Sequence, residues 1–424
     1  MIKFIIKGLL RDHHRSLFPI LIVTIGVWMT VFMQAYLSGV FGDMIDTTAR
    51  FSTGHVKIMS RAYAEYADQV PNDMALMGIE QIMTDMQSEY PDMTWVKRIN
   101  FGGLIDIPDD EGETRSQAPV MGYGIDLLSP GSTEIHTMNV VKSLVRGRMP
   151  EKPGEILISD LLAERLEVNL GETATLLSST MYGSMTMHNF TVVGTIKFGI
   201  MAMDRGAIIA DISDIQLALD MEDAAGGILG YLPNRIYDDN TALGIVERFN
   251  QQYEDEDDEF APVMGKLVEL SNLGEYLNYA GSVSTIMVFI FVLIMSIVLW
   301  NAGLLGGLRR YGEVGIRLAI GEPKGHIYRS LIYESVFIGF VGSIIGTVLG
   351  LGCAYWLQVV GLDISAFVKN TSMMIPNVFR ASVTTETYYI GFFPGLFSTV
   401  LGTALSGIGI YKRQTAQLFR ELEV

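Results

Sequence analysis

Four stretches of this chain run for twenty or more residues with almost no charge: 17–36 (LFPILIVTIGVWMTVFMQAY), 283–305 (VSTIMVFIFVLIMSIVLWNAGLL), 330–360 and 388–410. An α-helix needs about 20 apolar residues to cross the hydrocarbon core of a bilayer, so each stretch predicts a transmembrane helix. The third is longer than it needs to be and carries one acid, Glu334. The first is too long for a cleaved leader and no small-x-small cleavage pattern follows it, so it is expected to remain as a signal anchor.

Between the first and second runs the pattern changes. Apolar residues recur at helical spacing in 74–90 (MALMGIEQIMTDMQSEY), 159–168 (SDLLAERLEV) and 211–221 (DISDIQLALDM). Alternating, β-branched segments appear at 54–59 (GHVKIM), 173–178 (TATLLS), 190–196 (FTVVGTI) and 205–211 (RGAIIAD). Gly171 breaks the pattern between one such helix and the next strand. The fold class expected is an α+β membrane protein, with four transmembrane helices and a large mixed α/β extracytoplasmic domain between helices 1 and 2.

The boundaries that follow are an amphipathic N-terminal segment at 1–15 and a first membrane helix with its stalk at 16–41. The extracytoplasmic domain is 42–275, read as one subdomain from 42–120 plus 233–275 and an inserted subdomain at 121–232. Helix 2 is 276–306, a cytoplasmic loop 307–329, helix 3 330–360, an outer loop 361–387, helix 4 388–411 and a tail 412–424.

Charge gives these segments sides. Of the chain's residues 49% are hydrophobic and 18% charged, with a net charge of −17. Residues 41–280 hold 39 acids and 16 bases, so the remainder is net positive by 6. Lys3, Lys7, Arg11 and Arg15, the 308–330 segment, and Lys412, Arg413 and Arg420 all fall on one side of a four-span topology. Basic loops stay in the cytoplasm, so 41–280 and 361–387 are expected outside.

Known site chemistries are scarce. Cys353 is the one cysteine, which rules out an internal disulfide or a cysteine cluster for zinc, and the six histidines show no HExxH spacing. The acidic run 254–259 (EDEDDE) lacks the spaced oxygens and glycine of an EF-hand loop and reads as a solvated turn. No GxxxxGK[ST] occurs, so no P-loop cradles a nucleotide here. No metal or cofactor site is expected on this chain, and nucleic acid is not among the expected partners.

The segment LRRYGEVGIRLAIGEPKGHIYRS, 308–330, is the most distinctive. Its spacing predicts a short helix over 311–320, with Val314, Leu318 and Ala319 on one face and Glu313 paired with Arg317 on another. Gly321 ends it, and Pro323 starts the next helix with Glu322 near that helix's positive end. A rigid amphipathic helix between two spans can dock in a groove on a cytoplasmic partner. An ordinary basic loop accounts for the charge as well.

In helix 3, Gly339, Gly342, Gly346 and Gly350 form small-xxx-small strips, which allow close helix approach either within the subunit or across a dimer seam. Glu334 either pairs near the interface, with Arg329 or a neighbour, or serves as a functional intramembrane acid.

The stretch 309–350, with Glu313, Gly315, Arg317, Gly321 and Glu334 followed by the spaced glycines, resembles the permease family that includes MacB, LolC, LolE and FtsX. STGHVKI at 52–58, and the segments 122–135, 144–177, 190–196 and 204–219, resemble that family's external domain. The resemblance implies a permease subunit of an ATP-binding-cassette complex, paired with a second copy or a related permease. ATP and Mg would sit on a separate ATPase subunit. Tyr311, Glu313, Val314, Gly315, Arg317, Leu318 and Gly321 would belong to the coupling helix that docks on that ATPase.

The resemblance further implies mechanotransmission along helices 1 and 2, driving lipoprotein or amphiphilic cargo outward from the bacterial inner membrane. A periplasmic carrier or adaptor is a further implied partner, although 180–189 (TMYGSMTMHN) is too short to align with a carrier-binding hook. An FtsX-like regulator of a cell-wall hydrolase is the alternative. A membrane-anchored enzyme finds no supporting motif.

Overall fold

A computed structural model describes residues 13–253, 258–271, 273–363, 374 and 378–412. They form two compact units, one from 43–275 with 363–378 and one from the remaining segments.

The first unit is organised by ten strands: β1 (Val56–Ser60), β2 (Thr94–Pro108), β3 (Thr114–Ile125), β4 (Leu144–Gly147), β5 (Glu155–Ser159), β6 (Thr173–Ser179), β7 (Met185–Ile196), β8 (Ala207–Asp211), β9 (Gly227–Tyr231) and β10 (Pro262–Lys266). Their order is β10-β1-β9-β2-β3-β8-β5-β7-β4. Strand β6 pairs with both β2 and β7, so β2-β3-β8-β5-β7-β6 closes into a barrel. Closure removes exposed edges that would otherwise template pairing with other chains.

Period-two alternation sorts the barrel wall. Ile105, Ile107, Val120, Ile156, Ile158, Leu176, Phe190, Val192 and Ile208 share one buried core. Their sequence neighbours Leu157, Val193 and Ile209 join a second core. Side chains on a strand alternate between faces, so β5, β7 and β8 each feed two cores at once.

The antiparallel β10-β1-β9-β2 stretch is covered by two amphipathic helices. Helix α2 (Ile79–Glu89) buries Ile79, Ile82 and Met86, and a later helix, Asp239–Gln252, buries Ala242, Ile245, Val246 and Phe249. Two further helices follow strands directly, α3 (Asp160–Leu166) after β5 and α4 (Ile212–Leu219) after β8; the 239–252 helix is α5. Each begins at a side-chain cap: Ser159 accepts from the Leu162 N–H, Asp211 from Ser213, and Asp238 from Thr241.

The expected subdomain boundaries at 121 and 232 need correction. Position 121 lies inside β3, and 232 directly follows β9, which pairs with both β1 and β2. Strand β2 is long enough to pair with β9 through its first half and β3 through its second. The two halves therefore share one continuous sheet.

The helices of the second unit are α1 (His13–Thr48) as far as residue 42, α6 (Leu273–Ala319) from residue 276, α7 (Lys324–Val360) and α8 (Phe392–Lys412). Among the described residues, three helical segments are long and apolar enough to cross a membrane: Leu17–Thr53, Lys324–Val360 and Thr385–Ile408. In α6 the apolar segment among the described residues is shorter, Thr285–Asn301.

The sequence pattern predicts a membrane helix ending at 306, a loop, and a separate helix at 311–320. The backbone instead forms one 47-residue helix from Leu273 to Ala319. No proline interrupts it, and the glycines at 303, 306, 307 and 315 cost only about 1 kcal/mol each relative to alanine. The N-terminal segment 1–12, the acidic run at 254–257 and the tail 413–424 lie outside the described residues.

Candidate functional site

The end of α6 is shaped by one glycine. Gly321 has φ +94°, a left-handed conformation that side-chain-bearing residues adopt only with strain. Its N–H donates to the Leu318 carbonyl at 3.0 Å, and the Glu322 N–H donates to the Arg317 carbonyl at 3.0 Å. This pair of bonds is the Schellman arrangement, which satisfies carbonyls left open at a helix end. Pro323 then caps α7, and Glu322 meets the His326 Nδ1 at 2.5 Å. The turn between α6 and α7 is thus a fixed corner.

Two isoleucines stand out at that corner. Ile316 is 60% exposed and Ile320 80% exposed, four residues apart on one face of the helix. Arg317 and Leu318 are half-buried. Tyr311, Glu313, Val314 and Gly315 have helical backbone, but their side chains are outside the described set. The sequence pattern assigns an apolar face to Val314, Leu318 and Ala319; Ile316 and Ile320 add an exposed apolar pair whose i, i+4 spacing is visible in the chain.

The glycines of α7 define a second region. Val23, Val27 and Val31, each one turn after the last on α1, are fully buried. A Cβ added at Gly342 would lie 2.9 Å from the Val23 Cβ, and at Gly346 2.7 Å from the Thr24 carbonyl oxygen. At Gly350 it would lie 2.7 Å from the Val31 Cβ. Gly391 and Gly395, before and within α8, meet the same valines, and Gly339 faces Thr399 on α8. Small residues on two helices thus receive one valine row, and Thr24 Oγ1 adds a hydrogen bond to the Gly342 carbonyl at 3.3 Å. Glu334 is buried on α7.

The third region is where α1 ends in the strand-rich unit. One turn of π-helix, Ala49–Thr53, follows α1, and its carbonyls are held by buried side chains. Arg98 on β2 donates to the Arg50 carbonyl at 2.6 Å, and the Tyr231 hydroxyl on β9 donates to Ala49 at 3.1 Å. Arg98 also forks onto Glu134, with its Nη2 2.8 and 3.0 Å from the two carboxylate oxygens and its Nε at 3.1 Å. Burial would lower the affinity of Arg98 for its proton, and Glu134 more than offsets this, so its pKa is raised. A cation suits a helix C-terminus, whose free carbonyls carry partial negative charge.

Beside this cluster, His55 accepts the Leu232 N–H at its Nδ1, 3.1 Å away. Burial, aided by Arg235 and opposed by Asp46, lowers its pKa to about 4, so it is neutral at pH 7. Lys57 sits over the Tyr63 ring at 5.0 Å, and burial, then Arg98, lower its pKa to about 8. Among the described residues, no three His, Cys, Asp or Glu side chains gather in a group able to hold a metal ion.

Known protein families match this arrangement in two blocks. The profile described as MacB-like periplasmic core domain matches residues 16–235, slightly more than half of the chain, and that of the FtsX-like permease C-terminal matches 285–415. This chain belongs to the MacB/LolC/FtsX family of ABC-type permeases.

The permease is 25% identical over 214 residues to the lipoprotein-releasing system transmembrane protein LolC of Xylella fastidiosa strain 9a5c, covering 49% of this chain and 50% of that one. The LolC protein of strain Temecula1 matches over the same shares. The permease thus spans about half the length of the curated relatives it matches. The periplasmic region of MacB from Actinobacillus actinomycetemcomitans aligns with a TM-score of 0.35 at 11% identity, covering 52% of this chain and 92% of that structure. Three membrane-capable helices and family membership identify this permease as an inner-membrane protein.

Proposed function

We propose that this permease is the transmembrane subunit of an ATP-driven complex that moves lipoprotein or amphiphilic cargo outward. A separate ABC ATPase, holding ATP and Mg, docks on the corner at 311–321. Its closure is carried along α1 and α6 to the strand-rich unit in the periplasm. Helix α6 is the fourth span, and a second permease copy or a related permease completes the assembly.

The observation that carries this reading is the unbroken helix from Leu273 to Ala319. At about 1.5 Å per residue it is long enough to exceed the membrane and leave a rigid end beyond it. That end presents Ile316 and Ile320 to solvent beside Arg317. Exposed apolar residues at i and i+4 next to a cation are how a helix is seated in a partner's groove. The test is co-purification from detergent of the native chain and of the Ile316→Asp, Ile320→Asp variant. A P-loop ATPase present with the first and lost with the second supports the reading; no ATPase with either chain refutes it.

The match to the FtsX-like permease C-terminal supports a second reading, regulation of an extracytoplasmic cell-wall hydrolase without transport. Cargo leaving the membrane on ATP hydrolysis favours transport, and hydrolase activation without cargo movement favours regulation.

A further inference from the structure

His55 precedes β1 in the strand-rich unit and is 2% exposed, with its ring edge-on to those of Tyr231 and Tyr237, both centroids 5.6 Å away. Its backbone is pinned from two sides. The His55 N–H donates to the Gly230 carbonyl at 2.9 Å, and the Leu267 N–H donates to the His55 carbonyl at 3.0 Å.

The ring in turn holds the chain between β9 and α5. The Leu232 N–H donates to the His55 Nδ1 at 3.1 Å, and the Arg235 N–H donates to the Leu232 carbonyl at 3.0 Å. The turn so closed is strained, because Asn234 and Arg235 are both left-handed, at φ +61° and +56°. Asparagine tolerates that region, but arginine adopts it only against a steric penalty. Residues 233–236 are exposed, so the turn is moored at its ends, by buried Leu232 and half-buried Tyr237.

Only a neutral ring can hold Leu232 in this way. An imidazole nitrogen that accepts carries no proton, so the proton of neutral His55 is on Nε2. Protonation makes Nδ1 a donor and sets it against the Leu232 N–H, with a new charge in a buried place. Asp46, at the end of α1 and paired with Arg50, favours that charge, and Arg235 in the turn itself opposes it. From β9, Tyr231 faces the ring, with Arg98 3.5 Å from its hydroxyl and Glu134 on that arginine. From the far end of the turn comes Tyr237, whose hydroxyl donates to Asp239; Asp239 pairs with Lys266, which also meets Glu269. Burial outweighs Asp46 and, with Arg235, takes the pKa of His55 from 6.5 to about 4 while the turn is shut.

We propose that His55 is an acid-released latch: neutral, it holds Leu232 and keeps the strained turn shut, and protonated, it lets residues 232–237 open. The Tyr231 hydroxyl, one residue before Leu232, donates to the Ala49 carbonyl, so release loosens the seat of the turn that follows α1. The latch lies within the strand-rich unit and depends on neither partner nor cargo, so its failure and the failure of the proposed function are separate results. An opened turn returns His55 to water and to its ordinary affinity for a proton. The open form therefore binds the proton more tightly, and the shut form is fully stable above about pH 6.5 and loses stability as the pH falls towards 4.

The test is the protection of the Leu232 amide against hydrogen exchange in the full chain in nanodiscs, corrected for the intrinsic rate, between pH 7 and pH 5. Most carboxylates stay ionised across that range, so general acid unfolding does not intrude. Protection at Leu232 should fall about tenfold or more while the amides of β8 keep theirs. In His55→Asn the side-chain oxygen can take the place of Nδ1 and never gains a charge, so protection should stay constant with pH. A second readout needs no variant: the ring 15N shifts of native His55 at pH 7 should show the proton on Nε2. Protection at Leu232 that is flat in the native chain, that falls as steeply in His55→Asn, or that falls together with β8 overturns the proposal, as does a proton on Nδ1.

Discussion

Arg98 and Glu134 form a forked, fully buried ion pair at 2.8 and 3.0 Å, and the same arginine holds the Arg50 carbonyl where the first membrane helix ends. Breaking a buried pair by removing one partner leaves an uncompensated charge, which costs about 3–5 kcal/mol. Arg98→Met should therefore lower the thermal midpoint of the full chain more than any surface substitution does. The double variant Arg98→Met, Glu134→Leu should recover part of that loss, because the stranded carboxylate is gone while the Arg50 carbonyl stays unmet. Equal midpoints for Arg98→Met and the native chain would show that the pair does not hold the junction.

Gly346 and Gly352 lie on the same helix and predict opposite outcomes. A Cβ at 346 would come within 2.7 Å of the Thr24 carbonyl, a backbone atom that cannot rotate away, whereas one at 352 meets nothing within 4 Å. Gly346→Val should destabilise the helical unit by roughly 1–3 kcal/mol through overpacking. Gly352→Ala should be neutral or stabilising by about 0.5–1 kcal/mol, since glycine is a poor helix former. Unfolding in mixed micelles measures both.

Lys57 makes stability depend on pH with a definite sign. Its pKa falls from 10.5 to about 8 on burial, with the nearby Arg98 adding to the effect. Between those values the unfolded chain binds a proton that the folded one does not, so stability rises with pH across that window. Below about pH 8 the cost of the buried charge is fully present. Lys57→Met should therefore raise stability at pH 7 by roughly 1–3 kcal/mol, offset in part by the lost contact with the Tyr63 ring. The gap between variant and native chain should narrow as the pH approaches 10.5. A gap that stays constant across pH 7–10.5 would contradict the assignment.

Gly321 tests the corner. Any residue with a Cβ at φ +94° is strained, so Gly321→Ala should cost about 1–2 kcal/mol locally and fray the last turn of α6. Gly325 has open space around it and no left-handed backbone, so Gly325→Ala is the control. The readout is exchange at the amides of Ile320, Gly321 and Glu322, faster in the first variant only.

What could be read from the chain follows physical range. Strand β8 and helix α4 were legible in RGAIIADISDIQLAL, because alternation, a capping aspartate and helical spacing are local signals. The long strand β2 was not, since glycines at 102 and 103 and the charges at 97 and 98 break its alternation. The spacing of Gly342, Gly346 and Gly350 was visible, but nothing local names Val23, Val27 and Val31 as what they lie against.

The continuity of α6 was missed because basic residues after 308 suggested a loop, and charge says nothing about whether a helix stops. The partnership of Arg98 with Glu134, and of Met374 with Lys197, spans sequence separations at which no periodicity operates.

A nucleotide-hydrolysing partner seated on the end of α6 would lie against Ile320. The most direct measurement places a photo-crosslinking amino acid at Ile320, in cells, with a second chain labelled at the exposed Tyr182 of the strand-rich unit as control. A crosslink from position 320 to a P-loop ATPase, and none from position 182, is the expected result. No ATPase adduct from position 320, in cells where the permease is assembled in the membrane, would contradict it.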